Sequence, residues 1–220
     1  MSLRAIIFDF DGLVVDTETA IFQAWCEVYT AHGQELELST YAECVGSDHG
    51  QFDPMAHLDG LLGESLDWDV LEPRKQARIV ELLNDQETLP GVRELLAEAA
   101  EKGVPCAVAS SSSLDWVGGW LDRLGLGDRF GVVRTRDHVE RIKPHPDLFL
   151  AAVEQLGIAP HEAVVLEDSV HGLQAARTAG IHCVAVPNQI TAAGDFSGAS
   201  RLLSSLAEIG LDDLHELVAQ

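Results

Sequence analysis

Short apolar runs alternate with helical patterns along most of the chain. Four runs are typical of parallel strands buried on both faces, because they are too short for helices and largely lack polar residues. They span residues 5–8, 106–109, 163–166 and 181–186. Helical patterns occupy residues 91–102, 114–124, 146–156 and 169–179, each followed by a glycine. This alternation predicts βαβ units and a parallel sheet flanked by helices.

One long segment breaks the alternation. Residues 17–88 contain no comparable strand pattern, whereas residues 17–31 and 72–83 have the periodicity of amphipathic helices and residues 58–66 form a weaker candidate. We therefore expect a small α-helical insertion over residues 17–88. The remaining residues, 1–16 and 89–220, would form the α/β core.

Charge and composition narrow the classes of partner. The 220 residues include 36 Asp and Glu against 14 Lys and Arg, a net charge of -22. Such a surface repels nucleic acid and acidic membranes, so we expect neither as a partner. No apolar run is long enough to cross a bilayer, and the N-terminus has no pattern of a secretion signal.

The cysteines point to a reducing compartment. Four are scattered along the chain without the spacing of a metal site, which favours buried free thiols in the cytoplasm. They are Cys26, Cys44, Cys106 and Cys183. We expect a cytoplasmic monomer or small homo-oligomer.

Polar residues directly follow three of the predicted strands. These are Asp9, Ser110 and the pair Glu167-Asp168. Ligands of open α/β sheets bind at the carboxyl ends of the strands, so these side chains should meet in one crevice. Asp9 and Asp11 are placed to share a site and repel one another unless a cation lies between them. Oxygen ligands without His or Cys predict Mg²⁺, with Asp9, Asp11, Glu167 and Asp168 as its ligands.

Three further residues extend this site towards phosphate chemistry. Gly12 allows a sharp turn and a close approach to an anion. Lys143 can supply positive charge to an oxyanion and Ser110 can donate from its hydroxyl. With a divalent cation, a carboxylate can attack phosphorus to form an aspartyl-phosphate, while a second carboxylate acts as general acid and base.

Four segments, in order, resemble the motifs of the haloacid dehalogenase-like hydrolase superfamily. They are residues 9–18 (Asp-Phe-Asp-Gly-Leu-Val-Val-Asp-Thr-Glu), Ser110 after its strand, Lys143 in Ile-Lys-Pro-His-Pro-Asp, and residues 165–169 (Val-Leu-Glu-Asp-Ser) followed by Gly172. The residues of these motifs are most similar to those of the β-phosphoglucomutase and sugar-phosphatase branch. The resemblance implies a Rossmann-like parallel sheet with a small helical cap inserted after the first strand.

The resemblance also implies a role for each matching residue. Asp9 would be the nucleophile and a Mg²⁺ ligand, and Asp11 would be the general acid/base with its backbone carbonyl on the metal. Ser110 and Lys143 would hold the transferring phosphoryl group. Asp168 would ligate Mg²⁺, and Glu167 would do so directly or through water. The superfamily's dehalogenases lack the second aspartate of the first motif, so Asp11 counts against dehalogenation.

Several neighbouring residues keep simpler interpretations. Ser111 joins Gly12, Ser110 and Lys143 as a substrate-binding candidate, although residues 111–113 are typical of a turn and a helix start. Asp16 and Thr17 either contact substrate or cap the first inserted helix. The four tryptophans are interpreted as packing residues, with Trp25 the one expected to face the crevice; the others are Trp68, Trp116 and Trp120.

The acceptor of the phosphoryl group decides between two enzymes: water makes a phosphatase and a sugar hydroxyl makes a mutase. The segment that corresponds to the branch's specificity loop is residues 46–50. It offers Asp48 and His49 where β-phosphoglucomutases have an arginine. Those enzymes also have a histidine early in the first cap helix, where this chain has Ile21 or its neighbours. The insertion's only cations are Arg74, Lys75 and Arg78. His49 and Lys75 are the substrate-binding candidates of the insertion.

These departures favour a Mg²⁺-dependent phosphatase that acts on small phosphorylated metabolites, including sugar phosphates. A β-phosphoglucomutase-like mutase is the alternative. A non-catalytic protein that binds phosphometabolites is a third hypothesis, which the presence of both Asp9 and Asp11 disfavours.

Overall fold

The computed structural model describes residues 2–46 and 52–219. Within these residues, six parallel strands form one sheet in the order β3-β2-β1-β4-β5-β6. The strands are β1 (Ala5–Phe8), β2 (Cys106–Ala109), β3 (Val132–Arg134), β4 (Ala163–Glu167), β5 (His182–Ala185) and β6 (Arg201–Leu202). This confirms the predicted Rossmann-like α/β sheet flanked by helices.

Helices connect the strands and cover both faces of the sheet. They are α1 (Glu18–Ala31), α2 (Leu38–Tyr41), α3 (Pro54–Leu62), α4 (Trp68–Leu82), α5 (Val92–Glu101), α6 (Leu114–Leu124), α7 (Asp147–Leu156), α8 (Val170–Ala179) and α9 (Leu211–Ala219). Side chains alternate between the faces of a strand. Ile6 and Phe8 therefore pack with α5, α6 and α9, while Ile7 packs with α7 and α8.

The inserted segment has a hydrophobic cluster of its own. Trp25, Tyr29, Tyr41 and Leu58 form its centre. Side chains from α1 and α4 also join the cluster on one face of the sheet, including Ile79. The inserted segment therefore packs against the core, and its assignment as a separate cap domain stays a prediction. No helix in the described ranges is long and apolar enough to cross a membrane.

Two predicted helices in the insertion have the wrong bounds. The pattern over residues 58–66 predicted a helix that in fact spans Pro54–Leu62. The Asp53 side chain accepts from the backbone N–H groups of residues 55 and 56, and Gly63 ends the helix with φ +72°. The pattern over residues 72–83 missed the first turn of α4, which begins at Trp68 and has Pro73 inside it.

The edges of the sheet and the last helix were not predicted. β3 is only three residues long and half-buried, and β6 has two residues. Neither length gives a periodicity that can be recognised in a sequence. The loop after β3 carries Lys143, whose side chain reaches Asp9 after β1 and Glu167 at the end of β4.

Candidate active site

The site lies where the chain reverses direction across the sheet. β1 pairs with β2 on one side and β4 on the other, so the ends of β1 and β4 form a switch point of the kind at which α/β proteins bind ligands. Asp9 follows β1, and its backbone N–H donates to the carbonyl of Leu166 in β4 at 2.9 Å. Asp9, Glu167 and Asp168 are all buried, and one carboxylate oxygen from each lies within 4.8 Å of the others.

A single buried lysine neutralises part of this cluster. Lys143 precedes α7 and is 1% exposed. Its ammonium group donates to Asp9 and, at 2.7 Å, to Oε1 of Glu167. Burial alone would lower the pKa of Lys143, but the two carboxylates outweigh it and hold that pKa above its usual value. Lys143 is therefore charged and bound directly to the predicted nucleophile.

The carboxylates outnumber the positive charge. Burial raises the pKa of Asp9 to about 8, against the opposing effect of Lys143. Burial, with the neighbouring charges of Asp9 and Glu167, raises the pKa of Asp168 well above its ordinary value. An added cation would relieve this repulsion. The all-oxygen donor set fits a hard divalent ion such as Mg²⁺.

Glu167 and Asp168 are held by separate groups. Oε2 of Glu167 accepts from the backbone N–H and the hydroxyl of Ser169, both at 2.9 Å. Oδ2 of Asp168 accepts from the amide of Asn188 at 2.7 Å. Asn188 was not predicted, because it lies three residues beyond the end of β5 and the residue directly after the predicted strand 181–186 is Pro187.

Gly12 fits against this cluster through its lack of a side chain. Its φ is +79°, and a β-carbon there would lie 2.3 Å from Oδ2 of Asp168. Its carbonyl oxygen also accepts from the amide of Asn188 at 3.3 Å. Gly12 therefore lies tightly against the Asp168 carboxylate, and its role in binding a substrate anion stays a prediction.

Asp11 lies apart from the buried cluster, within a set of four donors. Oδ1 accepts from the hydroxyl of Thr17 and the indole N–H of Trp116, both at 2.8 Å. Oδ2 accepts from the hydroxyls of Ser110 at 3.2 Å and Ser112 at 2.6 Å. Trp116 packs against the core as predicted, but its hydrogen bond to Asp11 was not predicted. No short-range pattern indicates a hydrogen bond between residues 105 positions apart.

The structure separates the two interpretations left open for the start of α1. Asp16 accepts from the backbone N–H and hydroxyl of Thr19, at 3.2 and 2.9 Å, as a capping residue does. Thr17 instead donates to the Asp11 carboxylate. Asp16 therefore stabilises the helix start, and Thr17 belongs to the site.

A crevice of about 580 Å³ opens between these residues and the inserted helices. Asp9, Asp11, Ser110 and Ser111 line its core side. The Ser111 hydroxyl donates to the carbonyl of Gly46 at 3.2 Å, so it also ties the insertion to the core. His49 lies outside the described residues.

The insertion side of the crevice carries a buried acid. Glu18, in the first turn of α1, lines the crevice and is 9% exposed. Burial, followed by the charges of Asp11 and Asp9, raises its pKa to about 8. Tyr41 donates a hydrogen bond to it. The sequence analysis did not identify Glu18 as a buried group, because a glutamate in a first helical turn is ordinarily exposed.

Lys75 lines the same side and already has partners. Its ammonium group lies 2.8 Å from Oε2 of Glu72 and 3.6 Å from the centre of the Trp25 ring. Trp25 lines the crevice as predicted. Burial lowers the pKa of Lys75, and Glu72 partly counteracts it. The charge that Lys75 offers to a substrate is therefore largely balanced by Glu72.

Comparison with known proteins gives close matches over most of the chain. Residues 6–186 match the family described as haloacid dehalogenase-like hydrolase. The Bacillus subtilis protein YhcW is 39% identical over 209 residues, covering 95% of this chain and 94% of YhcW. The Escherichia coli fructose-1-phosphate phosphatase YqaB is 34% identical over 182 residues, covering 82% of this chain and 95% of YqaB.

A solved structure extends the match to the whole fold. It is a crystal structure of a CbbY mutant from Rhodobacter sphaeroides in complex with xylulose-(1,5)bisphosphate. Its TM-score is 0.79 at 32% identity, with 96% of this chain and 99% of that chain covered.

Proposed function

Because the chain belongs to the haloacid dehalogenase-like hydrolase family, we propose that it is a Mg²⁺-dependent phosphatase of small phosphorylated metabolites, sugar phosphates among them. The observation that carries this proposal is the buried ammonium group of Lys143. It bridges Asp9 and Glu167. Asp9 in turn lines a crevice large enough for a small metabolite. The names of the related phosphatases support the substrate class.

Mg²⁺ would be held by Asp9, Asp168 and the backbone carbonyl of Asp11, with Glu167 directly or through water. The crowding of three buried carboxylates around one lysine supports this assignment. When bound, the ion supplies positive charge that offsets the charge on the phosphoryl oxygens.

In the first half of the reaction, a carboxylate oxygen of Asp9 attacks phosphorus. The bond between phosphorus and the alcohol oxygen breaks, and that oxygen takes a proton from Asp11. Lys143 and Ser110 hold the phosphoryl group during the transfer. The products are a neutral alcohol and an aspartyl-phosphate on Asp9.

In the second half, water attacks the phosphorus of the aspartyl-phosphate. Asp11, now ionised, takes a proton from that water, and the Asp9 carboxylate leaves as inorganic phosphate forms. Asp9 and the protonated Asp11 are then restored. The donors around Asp11, including Thr17 and Ser112, keep its carboxylate at the crevice through both halves.

The arrangement around Lys75 favours water over a sugar hydroxyl as acceptor. A mutase must hold a second phosphate at the far end of its substrate, which requires available positive charge. Glu72 balances much of the charge of Lys75, and burial limits its reach. We propose that Lys75 contacts substrate hydroxyls or a distal anion, and that His49 contributes to binding.

Phosphorus NMR tests the proposal directly. Fructose 1-phosphate, β-glucose 1-phosphate and other small phosphate esters are incubated with protein and Mg²⁺, and free phosphate and phosphate migration are followed together. We expect free phosphate from a subset of substrates, and none with a chelator or in Asp9→Asn. Conversion of the 1-phosphate to the 6-phosphate would instead support the mutase. Binding without turnover of any ester would support the non-catalytic hypothesis.

A further inference from the structure

Trp116 forms the wall between two cavities. It lies in the first turn of α6 and lines the active-site crevice. It also lines a second cavity of about 210 Å³, together with Val80 and Leu83 from the inserted segment. Its ring packs edge-on against Trp120, with ring centres 6.1 Å apart. The indole is thus fixed between α6 and the inserted segment.

The fixed ring aims its only polar atom at Asp11. Nε1 of Trp116 lies 2.8 Å from Oδ1 of Asp11. The other three donors to Asp11 are hydroxyl groups, which can either donate or accept, whereas an indole N–H can only donate. The indole N–H therefore holds Oδ1 of Asp11 in one direction, while Oδ2 lies against the hydroxyls of Ser110 and Ser112.

We propose that Trp116 is a positioning residue: its indole N–H holds Oδ1 of Asp11 and thereby orients the carboxylate in the crevice. This inference rests on the proposed function, in which Asp11 protonates the leaving alcohol. Trp116 acts on the reaction through Asp11.

The test compares two leaving groups under single-turnover conditions. The alcohol oxygen of fructose 1-phosphate needs a proton in order to leave. The second substrate, p-nitrophenyl phosphate, releases p-nitrophenolate, which leaves without a proton. Trp116→Phe keeps an aromatic ring and removes the N–H. We expect it to slow release of fructose by at least about tenfold, the effect of losing one hydrogen bond to a charged group. Release of p-nitrophenol should change by less than about twofold, and the KM for fructose 1-phosphate should stay similar.

Matched variants separate positioning from packing. Trp120→Phe alters the ring that packs against Trp116 and so measures the cost of altered packing, which should affect both substrates equally and give no discrimination between the leaving groups. Replacing Trp116 by 3-benzothienylalanine keeps the shape of the indole and removes only the N–H. It should reproduce the effect of Trp116→Phe, even if that variant folds poorly.

Asp11→Asn supplies the reference. It should show the same discrimination between leaving groups, but more strongly. If it does and the Trp116 variants slow neither substrate or both equally, the positioning proposal is overturned while the proposed function stands. If Asp11→Asn itself shows no discrimination, the acid role of Asp11 fails and the inference fails with it. Absence of turnover by the unmodified protein would overturn the proposed function.

Discussion

Gly172 lies so close to Glu167 that a β-carbon at position 172 would be 1.8 Å from Oε1 of the carboxylate. The same oxygen accepts from Lys143 at 2.7 Å. The helix α8 therefore approaches the end of β4 closely because residue 172 has no side chain. Glu167 lies between the backbone of α8 and the buried ammonium group of Lys143. These two contacts fix its position at one edge of the candidate metal site.

Gly172→Ala should displace Glu167 and disturb the site more than the fold of α8. A helical alanine is ordinarily favoured over glycine by about 1 kcal/mol, but here overpacking of about 1–3 kcal/mol opposes that gain. We expect at least a tenfold lower kcat/KM and weaker Mg²⁺ dependence, measured by phosphate release.

Gly119→Ala is the matched control for this substitution. Gly119 is also helical, and a β-carbon there would meet nothing within 4 Å. It should leave activity unchanged and raise the melting temperature slightly. Full activity in Gly172→Ala would contradict the role assigned to the close approach.

The sequence was most informative where strands end. The apolar runs at residues 5–8 and 106–109 match β1 and β2. Because parallel strands share a carboxyl edge, the residues that follow them could be grouped from the strand pattern alone. Asp9 joins Asp168 in the buried carboxylate cluster and lines the crevice together with Ser110.

Other parts of the site could not be found in this way. Trp116 reaches Asp11 across 105 positions, and its apolar ring satisfies the helical pattern whether or not its N–H has a partner. Glu18 is buried because the inserted segment packs against the core. The local periodicity of the sequence does not indicate that packing. Long-range packing determines both, so only the folded chain reveals them.

Glu18→Gln should stabilise the protein at alkaline pH. The pKa of Glu18 is raised to about 8 in the folded state from its ordinary value of 4.5. The folded state therefore binds more protons than the unfolded state between these values, and stability falls as pH rises through that window. Glutamine removes this loss, so we expect a gain on the order of 2 kcal/mol near pH 8 and little gain near pH 5.

Thermal unfolding at the two pH values measures this effect. Glu43→Gln, an exposed glutamate of the inserted segment, is the control and should change the melting temperature equally little at both. A gain for Glu18→Gln that does not depend on pH would rule out the titration as its cause.

Lys75→Met should weaken substrate binding with little effect on chemistry. The side chain lines the crevice on the side away from Asp9's strand and contacts Trp25 and Glu72. Loss of a contact made equally in the ground and transition states raises KM and spares kcat. We expect KM for the preferred sugar phosphate to rise about tenfold. Steady-state kinetics of Arg74→Met, an exposed neighbour, should match the unmodified protein, and an unchanged KM in Lys75→Met would exclude Lys75 from the binding site.

Mg²⁺ should stabilise the folded protein, and more so at higher pH. Without the ion, burial raises the pKa of Asp9 to about 8 from 3.8, so stability falls as pH rises between these values. Metal binding requires the ionised carboxylates and offsets their repulsion, so its contribution grows across the same window. After chelator treatment, we expect added Mg²⁺ to raise the melting temperature more near pH 8 than near pH 6.

Asp168→Asn should lose most of this increment because it removes a ligand and a negative charge, whereas the exposed Asp128→Asn should keep it. An increment that survives in Asp168→Asn, or that equal ionic strength of NaCl reproduces, would place the bound cation elsewhere.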